Sequence, residues 1–123
     1  MPGTLRADYL VVGAGATAMA FVDTLVTDTD ATVLMLDRRD GPGGHWRDAY
    51  PFVRLHQPSA CYGVASMPLG DGGPDLESPG ETFGERATGE EIVAYYDAVL
   101  DKLRGTGQVE FLGEVDYLGG RRI

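Results

Sequence analysis

The residues with the clearest chemical potential are small ones. Gly13-Ala14-Gly15-Ala16-Thr17-Ala18 carries the spacing Gly-x-Gly-x-x-Ala, and each small side chain answers a separate steric demand of a phosphate cradle. Gly13 permits a tight turn out of a strand. Gly15 lacks the Cβ that would keep a pyrophosphate off the backbone, and Ala18 lets the following helix lie close to a sheet. An anion held there rests on unpaired N–H groups at the positive end of a helix. About 20 residues further on, where a carboxylate accepts hydrogen bonds from ribose hydroxyls, stands Asp37. Its charge repels a 2′-phosphate and favours FAD or NAD over NADP. The neighbouring Arg38 is of the type that pairs with such a phosphate or lies against adenine. These eight residues are the candidate site for the ADP portion of a dinucleotide.

The site needs a strand before the turn and a helix after it, and both are legible. Tyr9-Leu10-Val11-Val12 is a short continuous apolar run, as in a parallel strand buried on both faces. Ala18, Phe21, Val22 and Leu25 follow at i, i+3, i+4 and i+7, one helical stripe. Thr32-Val33-Leu34-Met35-Leu36 reads as a second buried strand that ends at Asp37. Strand, glycine turn, helix and strand make a βαβ unit with a right-handed crossover.

Residues 40–88 hold Pro42, Pro51, Pro58, Pro68, Pro74 and Pro79 and many glycines. A loop of that length in a compact domain is expected to serve a site. Thr88 with Glu91 three residues later has capping-box spacing. Ile92, Tyr96, Val99, Leu100 and Leu103 then form an apolar stripe that Gly105 stops. Val109-Glu110-Phe111-Leu112 reads as a third strand. Val115-Asp116-Tyr117-Leu118 reads as a fourth, leading into a Gly119-Gly120 hairpin turn. The expected fold is α/β: a Rossmann-like three-layer βαβ unit with a small parallel sheet, a long Gly/Pro-rich loop, a second helix and a C-terminal strand with a partial β-hairpin. One domain spans 1–123, divided into the fingerprint unit (1–39), the loop (40–88) and the helix with strands (89–123).

Bulk properties narrow the function. With 43% hydrophobic and 24% charged residues the composition is that of an ordinary globular domain. A formal net charge of −9 argues against a nucleic-acid or anionic-membrane surface. Cys61 is the single cysteine, so neither an intrachain disulfide nor a CxxC dithiol is available; a small buried side chain is its expected role. No signal pattern and no apolar run of about 20 residues is present, which makes the cytoplasm the expected compartment. His45 and His56 lack Cys, carboxylate or His neighbours at metal-ligand spacing. They are expected to be hydrogen-bonded loop residues, and neither a metal site nor a catalytic residue is assigned.

A second constellation is Gly41-Pro42-Gly43-Gly44-His45-Trp46-Arg47, followed by Tyr50-Pro51, Leu55-His56-Gln57-Pro58-Ser59 and Ser66-Met67-Pro68-Leu69. In order and spacing these motifs resemble the flavin-containing monooxygenases and related flavoproteins that bind two dinucleotides. The resemblance runs through essentially the whole chain. It implies FAD as the cofactor, NAD being the less favoured ligand, with Gly44, His45, Trp46 and the stretch Leu55, His56, Gln57 along it. Glycines let backbone approach a flat ring, and Trp46 either walls that ring or plugs the core beneath the loop.

The resembling enzymes are several times longer and carry a second Gly-rich fingerprint for NADPH, which this sequence lacks. The expectation is therefore an FAD-binding domain that is not a complete monooxygenase alone. Two alternatives stand beside it: a scaffold that binds a protein partner as regulator or decoy of a full-length homologue, and one subunit of a split oxidoreductase. With three strands in the order 3-2-1, Tyr9–Val12 becomes an exposed apolar edge, and such an edge invites pairing with another copy or a partner.

Overall fold

A computed structural model of the chain describes residues 5–49, 63–69 and 87–120. Three strands, β1 (Tyr9–Val12), β2 (Val33–Leu36) and the later Val109–Leu112, form one parallel sheet with β2 in the middle. Between β2 and that third strand lie a 3₁₀ turn (Gly44–Asp48), a small antiparallel hairpin of β3 (Gly63–Val64) and β4 (Met67–Pro68), and helix α2 (Gly89–Gly105). The third sheet strand is β5. Helix α1 (Ala16–Asp28) joins β1 to β2.

The register explains the burial. Val11, Met35 and Phe111 align across the sheet, as do Tyr9, Val33 and Val109. Because side chains alternate along a strand, this places Val11, Val33, Met35, Val109 and Phe111 on one face. All five join the core formed with Met19, Val22 and Val26 of α1 and Ile92, Tyr96, Val99 and Leu103 of α2. Both helices thus contribute to one core on that face, and the described residues supply two of the three expected layers. The opposite face carries Leu10, Leu34 and Glu110. Central β2 is almost wholly buried, whereas β1 is the expected edge: Tyr9, Leu10 and Val12 are 45%, 49% and 55% exposed. Burial of β1 on both faces is therefore not what the fold delivers.

The face of α1 differs from the expected stripe by one residue. Its buried positions are Met19, Val22, Asp23 and Val26. Phe21 is exposed, with its ring edge-on to Tyr9 at 6.0 Å. The rotation has a polar cause. Asp23 is 1% exposed; it accepts the Ser66 N–H at 3.0 Å and the Ser66 hydroxyl proton. The turn of the β3–β4 hairpin docks on α1 through that carboxylate. Tyr95 of α2 holds the other side of the hairpin, accepting the Val64 N–H at 2.7 Å and donating to the Met67 carbonyl. Lys102 adds a hydrogen bond to the Ser66 carbonyl at 3.1 Å. Part of the long Gly/Pro-rich segment is thereby an ordered hairpin clasped by both helices.

α2 follows its sequence signals closely. The Thr88 side chain accepts the Glu91 N–H at 3.1 Å, and the Glu91 carboxylate accepts the Thr88 N–H at 3.0 Å. All five residues of the expected stripe are buried, joined by Tyr95. The left-handed residue after the helix is Gly107, at φ 81°, rather than Gly105. The expected fourth strand over Val115–Leu118 is absent, and so is its half of the hairpin. Glu114 adopts φ 56° and donates to the Arg39 carbonyl, and Val115 donates to that of Asp37. N–H groups that would have built a ladder instead tie the chain across the end of β2.

Because both arms of the capping box are formed, Thr88→Ala should cost about 1 kcal/mol of stability. Urea unfolding should show a lower midpoint at unchanged slope; an unchanged midpoint would show that the cap contributes nothing.

Candidate functional site

Fingerprint residues and strand ends converge at the C-terminal edge of the sheet. β1 stops at Gly13, whose φ of 102° is a backbone conformation that L side chains rarely adopt. Its N–H still bonds the Leu36 carbonyl at 2.7 Å. The chain then turns through Ala14 into α1, where Gly15 is the N-cap and contributes no side-chain cap. The first helical bond runs from the Met19 N–H to the Gly15 carbonyl at 2.9 Å. Those of Ala16, Thr17 and Ala18 precede it, as donors at a helix N-terminus must. No acidic side chain occupies the first turn, so the positive end of the helix is not neutralised from within.

Asp37 is 6% exposed, and each of its carboxylate oxygens accepts one backbone N–H. Oδ2 accepts the Ala14 N–H at 2.7 Å, and Oδ1 accepts the Arg39 N–H at 2.8 Å. The acid expected beside the ribose therefore also holds the glycine turn. Arg38 is exposed. Arg39 pairs with Asp48, Nε to Oδ2 at 2.9 Å.

Gly44 has a role that its motif did not reveal. The Gly43 N–H bonds the Ala14 carbonyl at 2.9 Å, and a Cβ on Gly44 would lie 3.1 Å from the Gly15 Cα. The two glycine turns pack backbone against backbone. Gly113 is similarly constrained, since a Cβ there would lie 3.1 Å from both the Arg39 and Asp40 carbonyl oxygens. Trp46 is half-buried and packs against the core. His45 is exposed with its ring 5.1 Å from that of Trp46. Leu55, His56, Gln57 and Cys61, with Tyr50-Pro51 and Pro58-Ser59, lie outside the described residues.

A cleft of ≈ 320 Å³ opens at this edge, lined by Gly13, Asp37, Arg38, Val115, Asp116 and Tyr117 among others. The last three were missed by the sequence reading, which placed them on a strand. The usable signal was Gly113, a glycine directly after a strand end. A larger cleft of ≈ 730 Å³ lies between the 3₁₀ turn and the start of α2. Asp40, Asp48, Glu90 and Asp97 line it, and the Arg47 guanidinium there is already bonded to Asp97 and, through Nε, to the Pro42 carbonyl. A wall of four carboxylates does not suit a pyrophosphate, whereas Gly13 and Asp37 both line the smaller cleft, so the smaller cleft is the candidate site. Among the described residues no group of three potential metal ligands occurs, and no helix is long and apolar enough to cross a membrane.

Residues 11–70 match the family model for an NAD(P)-binding Rossmann-like domain. Solved structures extend the likeness beyond that segment. A cyclohexanone monooxygenase from Rhodococcus sp. Phi1 bound to NADP+ superposes with a TM-score of 0.59 at 28% identity over 85% of this chain and 19% of that one. The chain folds as a Rossmann-like domain similar to the one in that monooxygenase. An oxidized steroid monooxygenase bound to NADP gives a TM-score of 0.59 at 27% identity, over 85% and 19% of the two chains. A flavin-containing monooxygenase from Stenotrophomonas maltophilia shares the fold at 20% identity, with a TM-score of 0.61 over 85% and 28%. An uncharacterized protein of Mycobacterium tuberculosis is 53% identical over 121 residues, 98% of this chain, and its Mycobacterium bovis counterpart matches equally. The chain spans 22% of the length of these curated relatives.

The glycine geometry separates folding from binding. Gly44→Ala should lower stability by about 1–2 kcal/mol, the cost of a left-handed L-residue. Gly15 sits at φ −78° with 3.8 Å to spare before Gly44, so Gly15→Ala should stay within about 0.5 kcal/mol of the native protein. Thermal unfolding of both variants checks this ordering; equal losses would contradict the packing described.

Proposed function

We propose that this domain binds FAD by its ADP portion, as the cofactor-binding part of a flavin-dependent oxidoreductase of the monooxygenase type. The observation that carries the reading is that Gly13 and Asp37 line one cleft, with the Asp37 carboxylate bonded to the turn that leads through Gly15 into a helix N-terminus lacking a side-chain cap. The pyrophosphate would rest on the first-turn N–H groups of α1, which suits a protein of net charge −9 because backbone supplies the positive pole. The ribose would meet Asp37, and Val115 to Tyr117 would flank the adenine. Asp37 and Asp116 oppose a 2′-phosphate, and Arg39 is paired with Asp48, which favours FAD over NADP. NAD is the next ligand in order.

Bound FAD would supply the redox chemistry, and the chain's residues would hold and orient it. Gly44, His45, Trp46 and the stretch around Leu55, His56 and Gln57 are proposed to lie along the flavin side. No residue is assigned a catalytic role, and turnover by this domain alone is not part of the proposal. Association with the remainder of an oxidoreductase, in the same or another polypeptide, is consistent with the chain's 22% share of its relatives' length.

The absorbance spectrum of the purified protein tests this reading. With or after added FAD it should show the visible bands of protein-bound oxidised flavin, and Gly15→Val should lose them while remaining folded. Absence of FAD, NAD and ADP binding in the native protein would refute it.

A second reading rests on the β1 edge. Among the described residues β1 pairs with a strand on one side only, and Tyr9 with Phe21 on one face and Leu10 with Val12 on the other are exposed; such edges recruit further strands. We propose that the domain self-associates through β1. Sedimentation should reveal dimers that Leu10→Lys dissociates; a stable monomer at high micromolar concentration contradicts this second reading and leaves the first intact.

A further inference from the structure

Asp37 does more than stand near a ribose. Four hydrogen bonds meet at this one residue. Its N–H donates to the Leu112 carbonyl at 3.1 Å, and its carbonyl accepts the Val115 N–H at 3.0 Å. Its two carboxylate oxygens accept the Ala14 and Arg39 N–H groups. The middle residue of the glycine turn is thus fastened, through one side chain, to the ends of both β2 and β5.

Ala14 is 0% exposed, so with Asp37 in place the carboxylate, not water, is the acceptor for its N–H. A buried donor left unpaired destabilises the conformation that leaves it so, and here that conformation is the glycine turn. Two glycines make the turn permissive in the absence of a tether. The Ala14 N–H is also already spent on Asp37, which leaves anion binding to the N–H groups that follow it.

We propose that Asp37 is a positioning residue: its carboxylate presets the Gly13–Gly15 turn and so controls affinity for the pyrophosphate, independently of any contact with ribose. The inference rests on the nucleotide reading above and goes beyond it in one respect that can be measured. A carboxylate that served only as a ribose acceptor would repel a nearby pyrophosphate. Its removal would then leave unchanged, or strengthen, the binding of a nucleotide that lacks ribose hydroxyls. A preset turn requires the opposite sign.

Two measurements on native protein, Asp37→Ala and Asp37→Asn decide the matter. The first is amide hydrogen exchange without ligand. Ala14 should be protected in the native protein and exchange rapidly in Asp37→Ala, while Met35 in the central strand stays protected. The second is calorimetric titration with ADP and with 2′,3′-dideoxy-ADP. Asp37→Ala should weaken dideoxy-ADP about tenfold, the scale of a hydrogen bond to a charged group. Asp37→Asn, which keeps one acceptor oxygen, should fall between. If Asp37→Ala loses Met35 protection, the fold itself has failed and Asp37→Asn carries the test, weakened dideoxy-ADP binding supporting the proposal. Continued Ala14 protection in Asp37→Ala, or dideoxy-ADP binding as tight as or tighter than native in the folded variants, would overturn it. If the native protein binds neither nucleotide, the nucleotide reading fails. That outcome removes the role in affinity, and the ligand-free exchange of Ala14 shows separately whether the tether exists.

Discussion

Three stretches of backbone meet at the C-terminal edge of this sheet with no side chain between them. A Cβ on Gly44 would come within 3.1 Å of the Gly15 Cα, and one on Gly113 within 3.1 Å of the Arg39 and Asp40 carbonyl oxygens, so the 39–44 segment packs against both the Gly13–Gly15 turn and the bend at Gly113. The proposed nucleotide site depends on that closeness. It puts Ala14 within reach of Asp37 through its N–H and of Gly43 through its carbonyl. It also brings the chain after β5 back across β2 through Glu114 and Val115. A site that binds an anion with backbone must expose backbone, and here the same absence of side chains lets three loops share the space.

The electrostatics follow from that choice. A domain of net charge −9 has little basic surface with which to hold a pyrophosphate. Of the two arginines that line the cleft, Arg39 is committed to Asp48 and Arg38 is exposed. The positive pole is left to the helix N-terminus, where aligned N–H groups point outward without side-chain cost. The buried Asp37 carboxylate opposes this field but supplies the acceptor that the turn requires. Its two N–H donors keep it from being an unpaired buried charge.

What was legible in the sequence was local or periodic. The glycine spacing, the acid at the end of β2 and the Thr88–Glu91 box each depend on residues close along the chain, and each took its expected place. The α2 stripe also held, because its partners are apolar on every side. The face of α1 was misread by one position because the pattern counts Asp23 as a surface residue. In the fold it is buried by Ser66, over forty positions away in sequence, as the separation of 43 for that bond records. Val115–Leu118 has the composition of a strand, yet its first N–H is captured by Asp37 from a distant loop. Gly44 is held close to Gly15, a constraint its motif alone does not reveal. In each case a long-range polar or backbone contact outweighed local propensity, and no single-sequence pattern encodes such contacts.

The central claim is that an adenine nucleotide binds at the C-terminal edge of β1, β2 and β5, on the turn that Asp37 secures. Mapping backbone amide chemical shifts while ADP is added tests it most directly. The account predicts that the largest changes fall on Gly15 to Ala18, on Asp37 to Arg39 and on Val115 to Tyr117, three segments distant in sequence, of which the last two line the cleft together with Gly13. Changes centred instead on Trp46, Glu90 and Asp97 at the larger cleft, or none at all at saturating nucleotide, would contradict it.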